Sequence, residues 1–233
     1  MGIFQSTLKI IFRNLIRNKL YSTINIIGLS VGLVVFILVF LFIRYEYSWD
    51  SFNTNYKNIY IVKREKIEHG EVDYSSSTPF ALSEHLRTNF PEILNAVSTK
   101  SIGGWYLSSS NENMFSDETG MFAEPNLFEI FSISMVNGNA DIILNKPLSI
   151  LISKSLALKL FPNDNSIGKL ITINKKYKLE VVGIYNDLPD NSHFKPSYIL
   201  PFSVMERIDN RSLQNNAKCL FKRRDGRRYY PRY

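Results

Sequence analysis

The sequence is poor in the residues that most chemistry needs. Its 233 residues include one cysteine, Cys219, which excludes a disulfide framework and any Cys-rich zinc site, because both need several thiolates at fixed spacings. The three histidines, His69, His85 and His193, are isolated, with no His-Glu-x-x-His and no i,i+4 pair to hold a metal. No Gly-x4-Gly-Lys-Ser/Thr loop is present. Gly168-Lys169 is followed by Leu170 and lacks the upstream glycine, so no nucleotide phosphate cradle can be argued from it. There is no Gly-x-Ser-x-Gly elbow, and Cys219 sits in a basic stretch that offers little to position a catalytic thiol. The carboxylate pairs Asp187/Asp190 and Asp117/Glu118 read as turn residues rather than an acid/base couple. The expectation is no catalytic residue, no metal and no cofactor.

Charge is unevenly spread. The formal net charge is +7 with a pI near 9.3, while the mean hydropathy, -0.11, looks like that of a soluble protein. Residues 1–19 carry Lys9, Arg13, Arg17 and Lys19 without an acid, and residues 218–233 carry seven basic residues against Asp225. Residues 20–217 hold 17 Lys/Arg against 20 Asp/Glu, so the bulk of the chain is mildly acidic. Such a body presents no basic face for a phosphate backbone, and no nucleic-acid partner is expected.

One long apolar run breaks the soluble average. From Leu20 to Ile43 there are 24 residues without a charge, about 36 Å as a helix at roughly 1.5 Å per residue. That spans a bilayer core of about 30 Å with some tilt. A cleaved signal peptide has a shorter apolar core and a small-residue cleavage site, and Arg44-Tyr45-Glu46-Tyr47-Ser48-Trp49-Asp50 offers none. Four cations, Lys9, Arg13, Arg17 and Lys19, precede the run, while Arg44 is followed by Glu46 and Asp50. The positive-inside bias then places the N-terminus in the cytoplasm and everything after Ile43 outside. Tyr45, Tyr47 and Trp49 follow as an interfacial aromatic belt.

Residues 1–19 read as a cytoplasmic amphipathic segment on the inner leaflet. Phe4, Leu8, Ile11, Phe12, Leu15 and Ile16 fall at helical spacing, with Lys9, Arg13 and Arg17 on another side. The alternative is that it continues the membrane helix inward. Within the span (20–43), Ser22, Asn25, Gly28 and Gly32 share an arc of about 120° at roughly 100° per residue. Gly28-x-x-x-Gly32 is a small-xxx-small pair, and an asparagine amide facing lipid without a partner is costly. This face is expected to pack on a second membrane helix, which residues 44–233 do not supply.

Residues 44–217 suffice for one core or two small lobes, and the pattern is mixed. Ile59–Val62 reads as a strand, Gly70 as a turn, and 71–77 as the returning arm of a hairpin. A helix is predicted from Pro79 with Thr78 as its cap, stopping before Pro91. Residues 93–122 suggest strands interrupted at Gly103-Gly104 and at the polar tract 108–113, and 125–131 a short helix. Leu148–Ile152 is a buried-strand candidate, with Ser153 capping a helix that carries Leu156, Ala157, Leu160 and Phe161. Lys169–Ile173 and Lys178–Ile184 read as hairpin arms around residues 174–177. The region is α+β, without an internal repeat.

Several motifs together resemble a known family. Arg13-Asn14-x-x-Arg17-Asn18-Lys19 leads into Ile24-Asn25-Ile26-Ile27-Gly28-Leu29-x-x-Gly32, followed by Tyr47-Ser48-Trp49-Asp50-x-Phe52 and Ile59-Tyr60-Ile61-Val62. Further along come Phe90-Pro91-Glu92-Ile93, Ala123-Glu124-Pro125-Asn126-Leu127-Phe128-Glu129-Ile130-Phe131, Ser149-Ile150-Leu151-Ile152-Ser153, Leu160-Phe161, Ile167-Gly168-Lys169, Val181-Val182-Gly183-Ile184 and Pro189-x-Asn191-Ser192-His193. This series, covering about residues 5–203, resembles ABC transporter permeases of the MacB/FtsX type as found in Bacteroidetes, which more usually have Ala-Asp-Pro where this chain has Ala-Glu-Pro.

The resemblance implies one N-terminal transmembrane helix and a MacB-like periplasmic core domain with a porter-like lobe and an inserted lobe. It further implies the bacterial inner (plasma) membrane as location, a permease homo- or heterodimer, and a separate ABC ATPase subunit. In that family the outer domain is no enzyme: it transmits ATPase-driven motion for export or mechanotransmission. Such permeases continue with more of the domain and three further membrane helices. Here the chain turns instead to the basic residues 218–233, which suggests a broken reading frame or truncation, or else a natural short form. The periplasmic core domain, 44–217, would then be incomplete. Two other functions fit the layout: a single-span extracytoplasmic sensor or binding domain, and a membrane-tethered hydrolase, against which the missing motifs argue.

Overall fold

The computed structural model describes residues 10, 13–68, 71–109, 115–138, 146–162, 165–208 and 217–223. Lys9 with the apolar residues Phe4, Leu8, Ile11 and Phe12, the turn at His69-Gly70, the polar tract from residue 110 to 113, and the tail from 224 onward lie outside them. The chain forms two units, residues 1–49 and residues 50–233.

The first unit is dominated by α1 (Lys19–Glu46), 28 residues with none buried, long and apolar enough to cross a membrane. Residues 13–17 are also helical, and Asn18 interrupts the two pieces as a turn at φ -109°, ψ 56°. The hydrogen bonding continues through that turn, from Asn18 N–H to Asn14 O at 3.1 Å and from Ser22 N–H to Asn18 O at 3.0 Å. Beyond the helix, Tyr47 N–H caps Ile43 O at 3.0 Å, and the Tyr45 and Trp49 rings meet edge to face at 6.1 Å.

The second unit is α+β. Its strands are β1 (Ile59–Ile61), β2 (Arg64–Glu68), β3 (Glu71–Ser75), β4 (Ile93–Ser109), β5 (Phe115–Ala123), β6 (Met135–Asn137), β7 (Ser149–Ser153), β8 (Leu170–Ile173), β9 (Tyr177–Tyr185), β10 (Tyr198–Pro201) and β11 (Lys218–Arg223). The helices are α2 (Leu82–Asn89), α3 (Leu127–Ile130), α4 (Lys154–Leu160) and α5 (Phe202–Ile208). Among the described residues nine strands form one sheet in the order β1-β11-β4-β5-β10-β7-β9-β6, with β8 bonded to both β4 and β9. Because β8 bridges these two, the strands β4, β5, β10, β7, β9 and β8 close into a circuit of pairings, which removes exposed edges along that stretch.

Alternation along the strands divides the core in two. Ile150 and Ile152 of β7, Leu179 and Val181 of β9, Tyr198 and Leu200 of β10, Phe122 of β5 and Ile171 and Ile173 of β8 enter one cluster, which α4 and α5 cover. The intervening residues Leu151, Ile199, Met121 and Ala123 enter a second, which α3 covers through Leu127 and Ile130. Strands buried on both faces lose polar alternation, and that is why residues 149–152 are buried throughout. Within the first cluster the Tyr198 ring lies over its cross-strand partner Gly120, where a Cβ would sit 2.1 Å from ring carbons Cε2 and Cζ.

Local signals account for several elements. Ser153 caps α4 by accepting the Leu156 N–H at 3.2 Å, and Asn174 and Lys175, at φ 49° and 58°, lie with Lys176 in the three-residue turn between β8 and β9. Gly103-Gly104 does not end a strand but coincides with a bulge in β4 between Ile102 and Trp105. Two expected pairings differ. β3 returns along β2 rather than β1, and β1 pairs with β11. Thr78 is not a helix cap, since its hydroxyl and N–H both donate to Ala217 O, at 2.9 and 2.8 Å, and α2 starts only at Leu82.

The boundary expected at 217/218 also falls inside the sheet. Lys218–Arg223 is β11, set between β1 and β4, with Cys219 fully buried and Phe221 stacked on Tyr60 at 5.4 Å. A strand at a sheet position needs only alternate apolar side chains, so its lysines reach solvent while Cys219 does not.

Candidate functional site

The residues expected to form a helix-packing face all lie on α1. Ser22 is half-buried, Asn25, Gly28 and Gly32 are exposed, and a Cβ at either glycine would meet nothing within 4 Å beyond the adjoining helix backbone. Arg13, Arg17 and Lys19 are exposed at the N-terminal side of the same unit. The face is therefore open along one side of the helix.

Of the carboxylates read as turn residues, Asp187 and Asp190 lie in a loop, whereas Asp117 and Glu118 lie on β5; three of the four hold structural bonds. Asp187 accepts the Ser155 N–H at the start of α4, at 3.2 and 3.3 Å, and Asp190 pairs with Lys195 at 3.0 Å. Glu118 holds Lys159 at 2.5 Å and the Ser197 hydroxyl at 2.7 Å. Burial, with the Asp187 charge adding to it, raises the Tyr185 phenol well above its usual pKa while its hydroxyl donates to Pro196 O at 2.6 Å. His85 contacts the Asn89 amide at 3.0 Å. Among the described residues no group of three or more His, Cys, Asp or Glu is placed to hold a metal ion.

The Ala123–Phe131 motif is likewise a brace. Glu124 accepts the Ser98 N–H at 2.7 Å and takes Arg87 at 3.5 Å, while Arg87 also donates to Ala96 O at 2.6 Å. Asn126 donates to Asn95 Oδ1 at 3.0 Å, and the Asn95 amide donates to Glu129. These bonds fasten α3 to the start of β4.

Sequence reasoning missed where three motifs meet. Asp50, four residues beyond the end of α1, has φ 54° and donates its N–H to Asn191 O at 2.9 Å. Its carboxylate takes the His193 N–H at 3.0 Å and the His193 Nδ1 at 2.6 Å. Asn53, 1% exposed, gives its N–H to Asp50 O at 3.0 Å and accepts the Ser132 N–H on Oδ1 at 3.0 Å. Thr54 N–H then donates to Ser132 Oγ at 2.9 Å. The segment 50–54 is thereby clasped to two loops, 189–193 and 131–132. Each belongs to a separate motif, and the pairing spans 143 residues, so no local signal reveals it.

Beside the clasp lies a cavity of about 350 Å³. Ile59, Met121, Phe131, Phe194 and Leu220 give it apolar walls, and Asp50, Asn53, Thr99, Ser101, His193 and Lys218 line it as well.

Comparison with known proteins matches this architecture. The chain is similar in structure to a domain of a permease protein from Porphyromonas gingivalis, at 22% identity and TM-score 0.65, over 76% of this chain and 77% of that one. It is similar to the periplasmic region of MacB from Actinobacillus actinomycetemcomitans, at 15% identity and TM-score 0.51, over 64% and 66% of the two chains. The extracellular domain of the noncanonic ABC-type transporter YknZ from Gram-positive bacteria follows at 12% identity and TM-score 0.53, over 72% and 82%. No curated protein matches the chain. At these identities the structures establish the shared fold. The family model for the MacB-like periplasmic core domain matches residues 22–226, which takes in most of α1 and runs past β11. The chain belongs to the MacB-like periplasmic core domain family.

Proposed function

We propose that this chain is the anchored outer part of an ABC transporter permease subunit, and that its outer domain passes ATPase-driven motion across the membrane for export or mechanotransmission. In this reading α1 crosses the inner membrane with residues 1–19 in the cytoplasm, the domain beyond residue 44 lies in the periplasm, and ATP is hydrolysed by a separate subunit. The permease works as a homo- or heterodimer.

The observation that carries the reading is the clasp at Asp50. Force transmission needs a short connection between helix and domain, and a firm anchor where the chain enters the domain. Only Tyr47, Ser48 and Trp49 separate Glu46 from Asp50, whose backbone and carboxylate are bonded to residues 191 and 193. A long flexible linker would absorb displacement instead. The distribution of Lys and Arg supports the orientation.

The test is co-reconstitution of the permease subunit with its ATPase. Spin labels at the exposed Ser203 of two subunits should report different separations in the nucleotide-free and ATP-trapped states. Identical distance distributions in both states would overturn the proposal. Orientation is tested separately, by thiol labelling of intact cells: S203C should react with an impermeant reagent and R13C should not.

A further inference from the structure

Asn137-Gly138 is the chain's single Asn-Gly sequence, and the fold leaves it open. Asn137 ends β6, the last strand in the sheet order, where it pairs with Ile184 of β9 across an irregular register. Gly138 follows at φ 96°, and both residues are exposed. A three-residue strand at a sheet edge opens at little cost, so the backbone at Asn137 is free to rotate. Glycine has no Cβ beside its own nitrogen, which leaves that nitrogen accessible to the Asn137 amide.

Comparable pairs elsewhere are held. In Asn165-Ser166 the asparagine Oδ1 accepts the Ile167 N–H at 3.1 Å, and Ser166 is buried. In Asn191-Ser192 the serine N–H donates to Pro189 O at 3.1 Å, and Ser192 is buried too. Among the described residues no hydrogen bond holds the Asn137 side chain or the Gly138 N–H.

We propose that Asn137 is a site of spontaneous deamidation in the folded protein. Once solvent base has taken its proton, the Gly138 nitrogen attacks Asn137 Cγ and forms the new N–Cγ bond. The bond from Cγ to the amide nitrogen breaks, and that nitrogen takes up a proton and leaves as ammonia. Water then opens the cyclic imide at either carbonyl, giving aspartate or isoaspartate, and no atom is oxidised or reduced. Both products put a carboxylate at the end of β6. Isoaspartate also routes the main chain through the former side chain, and the added backbone atom works against the pairing with Ile184. The inference rests on this strand end and holds whether or not the domain transmits motion.

The test ages the full chain in lipid nanodiscs in warm, mildly alkaline buffer, beside a sample whose outer domain is unfolded in urea. Peptide mass spectrometry follows each asparagine. In the folded protein Asn137 should convert within about threefold of its rate in urea, because an exposed strand end opens at almost no cost. Folding should slow Asn165 and Asn191 at least about tenfold, since their hydrogen bonds must open first. Slowing of Asn137 as strong as theirs overturns the proposal. Hydroxylamine, which cleaves the cyclic imide, should cut the folded chain between residues 137 and 138 and leave N137Q uncut at that bond. An uncut parent chain, or a cut in N137Q, overturns the site.

Discussion

The Asp50 carboxylate holds His193 twice, through the backbone N–H at 3.0 Å and the ring Nδ1 at 2.6 Å, while Asp50 itself sits at φ 54°. Left-handed backbone is tolerated by Asp and Asn better than by other side-chain-bearing residues. D50A therefore loses two acceptors and keeps the strain, and should destabilise the outer domain by about 1–3 kcal/mol. D50N retains one acceptor and the backbone preference, so it should cost less than half as much. Amide hydrogen exchange at His193 reads the clasp directly: faster exchange is expected in D50A, and an unchanged rate would show that the bond carries no load.

A second prediction concerns Gly120. Its Cβ would stand 2.1 Å from the Tyr198 ring carbons, in a cluster where both residues are buried and paired across parallel strands. Overpacking of this kind costs about 1–3 kcal/mol or more, so G120A should lower the midpoint of thermal unfolding by several degrees. The ring carbons stand closer than the hydroxyl, which would be at 2.7 Å, so Y198F removes the lesser clash and should not rescue G120A. Y198L should recover part of the loss, and failure of that rescue would locate the damage elsewhere.

How much of this was legible in the sequence depends on the range of the signal. Ser153 as a cap, the turn at Asn174-Lys175 and the strand at Ile59 are local, and each is read from residues within a few positions of itself. Strand partners are not local. Nothing in Glu71–Ser75 says that it returns along β2, or that β1 will take β11 from 160 residues away. β11 was hidden by composition, because Lys218, Lys222 and Arg223 flank a core of only Cys219, Leu220 and Phe221. The alternation was present, but a short strand between basic residues is outweighed by its charge. The family motifs were visible one by one, while their meeting at Asp50, Asn53 and His193 is a property of the folded chain.

The third prediction follows from that hidden strand. Burial, reinforced by Glu124 and opposed by Arg87, pushes the Cys219 thiol up to about 12 from 9.0. The folded state then keeps its proton where the unfolded chain has lost it. This contribution to stability is full below pH 9 and disappears as the pH rises toward 12. The raised Tyr185 pKa acts in the same direction. Urea midpoints should fall steadily above pH 9, and C219A should flatten part of that slope. At pH 7 the thiol should resist maleimide until denaturant is added; prompt labelling of the native protein would contradict a buried β11.

The last prediction tests the open face of α1. Ser22, Asn25, Gly28 and Gly32 lie within one arc, and a Cβ at either glycine would meet nothing within 4 Å beyond the adjoining helix backbone, so the backbone there can be approached closely. Helices in lipid associate through such close approach and through interhelical hydrogen bonds, because apolar burial gives no advantage between them. Replacing both glycines with isoleucine holds the partner away, and replacing Asn25 with leucine removes the donor and acceptor. Each change should weaken helix association in bilayers by on the order of 1 kcal/mol, roughly fivefold, when followed by energy transfer between labelled copies or with the companion permease. Val34 points about 180° from the centre of the arc at roughly 100° per residue, so V34I adds bulk without touching the face and should leave association unchanged. If V34I weakens association as much as the glycine variants do, the contact depends on general helix bulk rather than on this face.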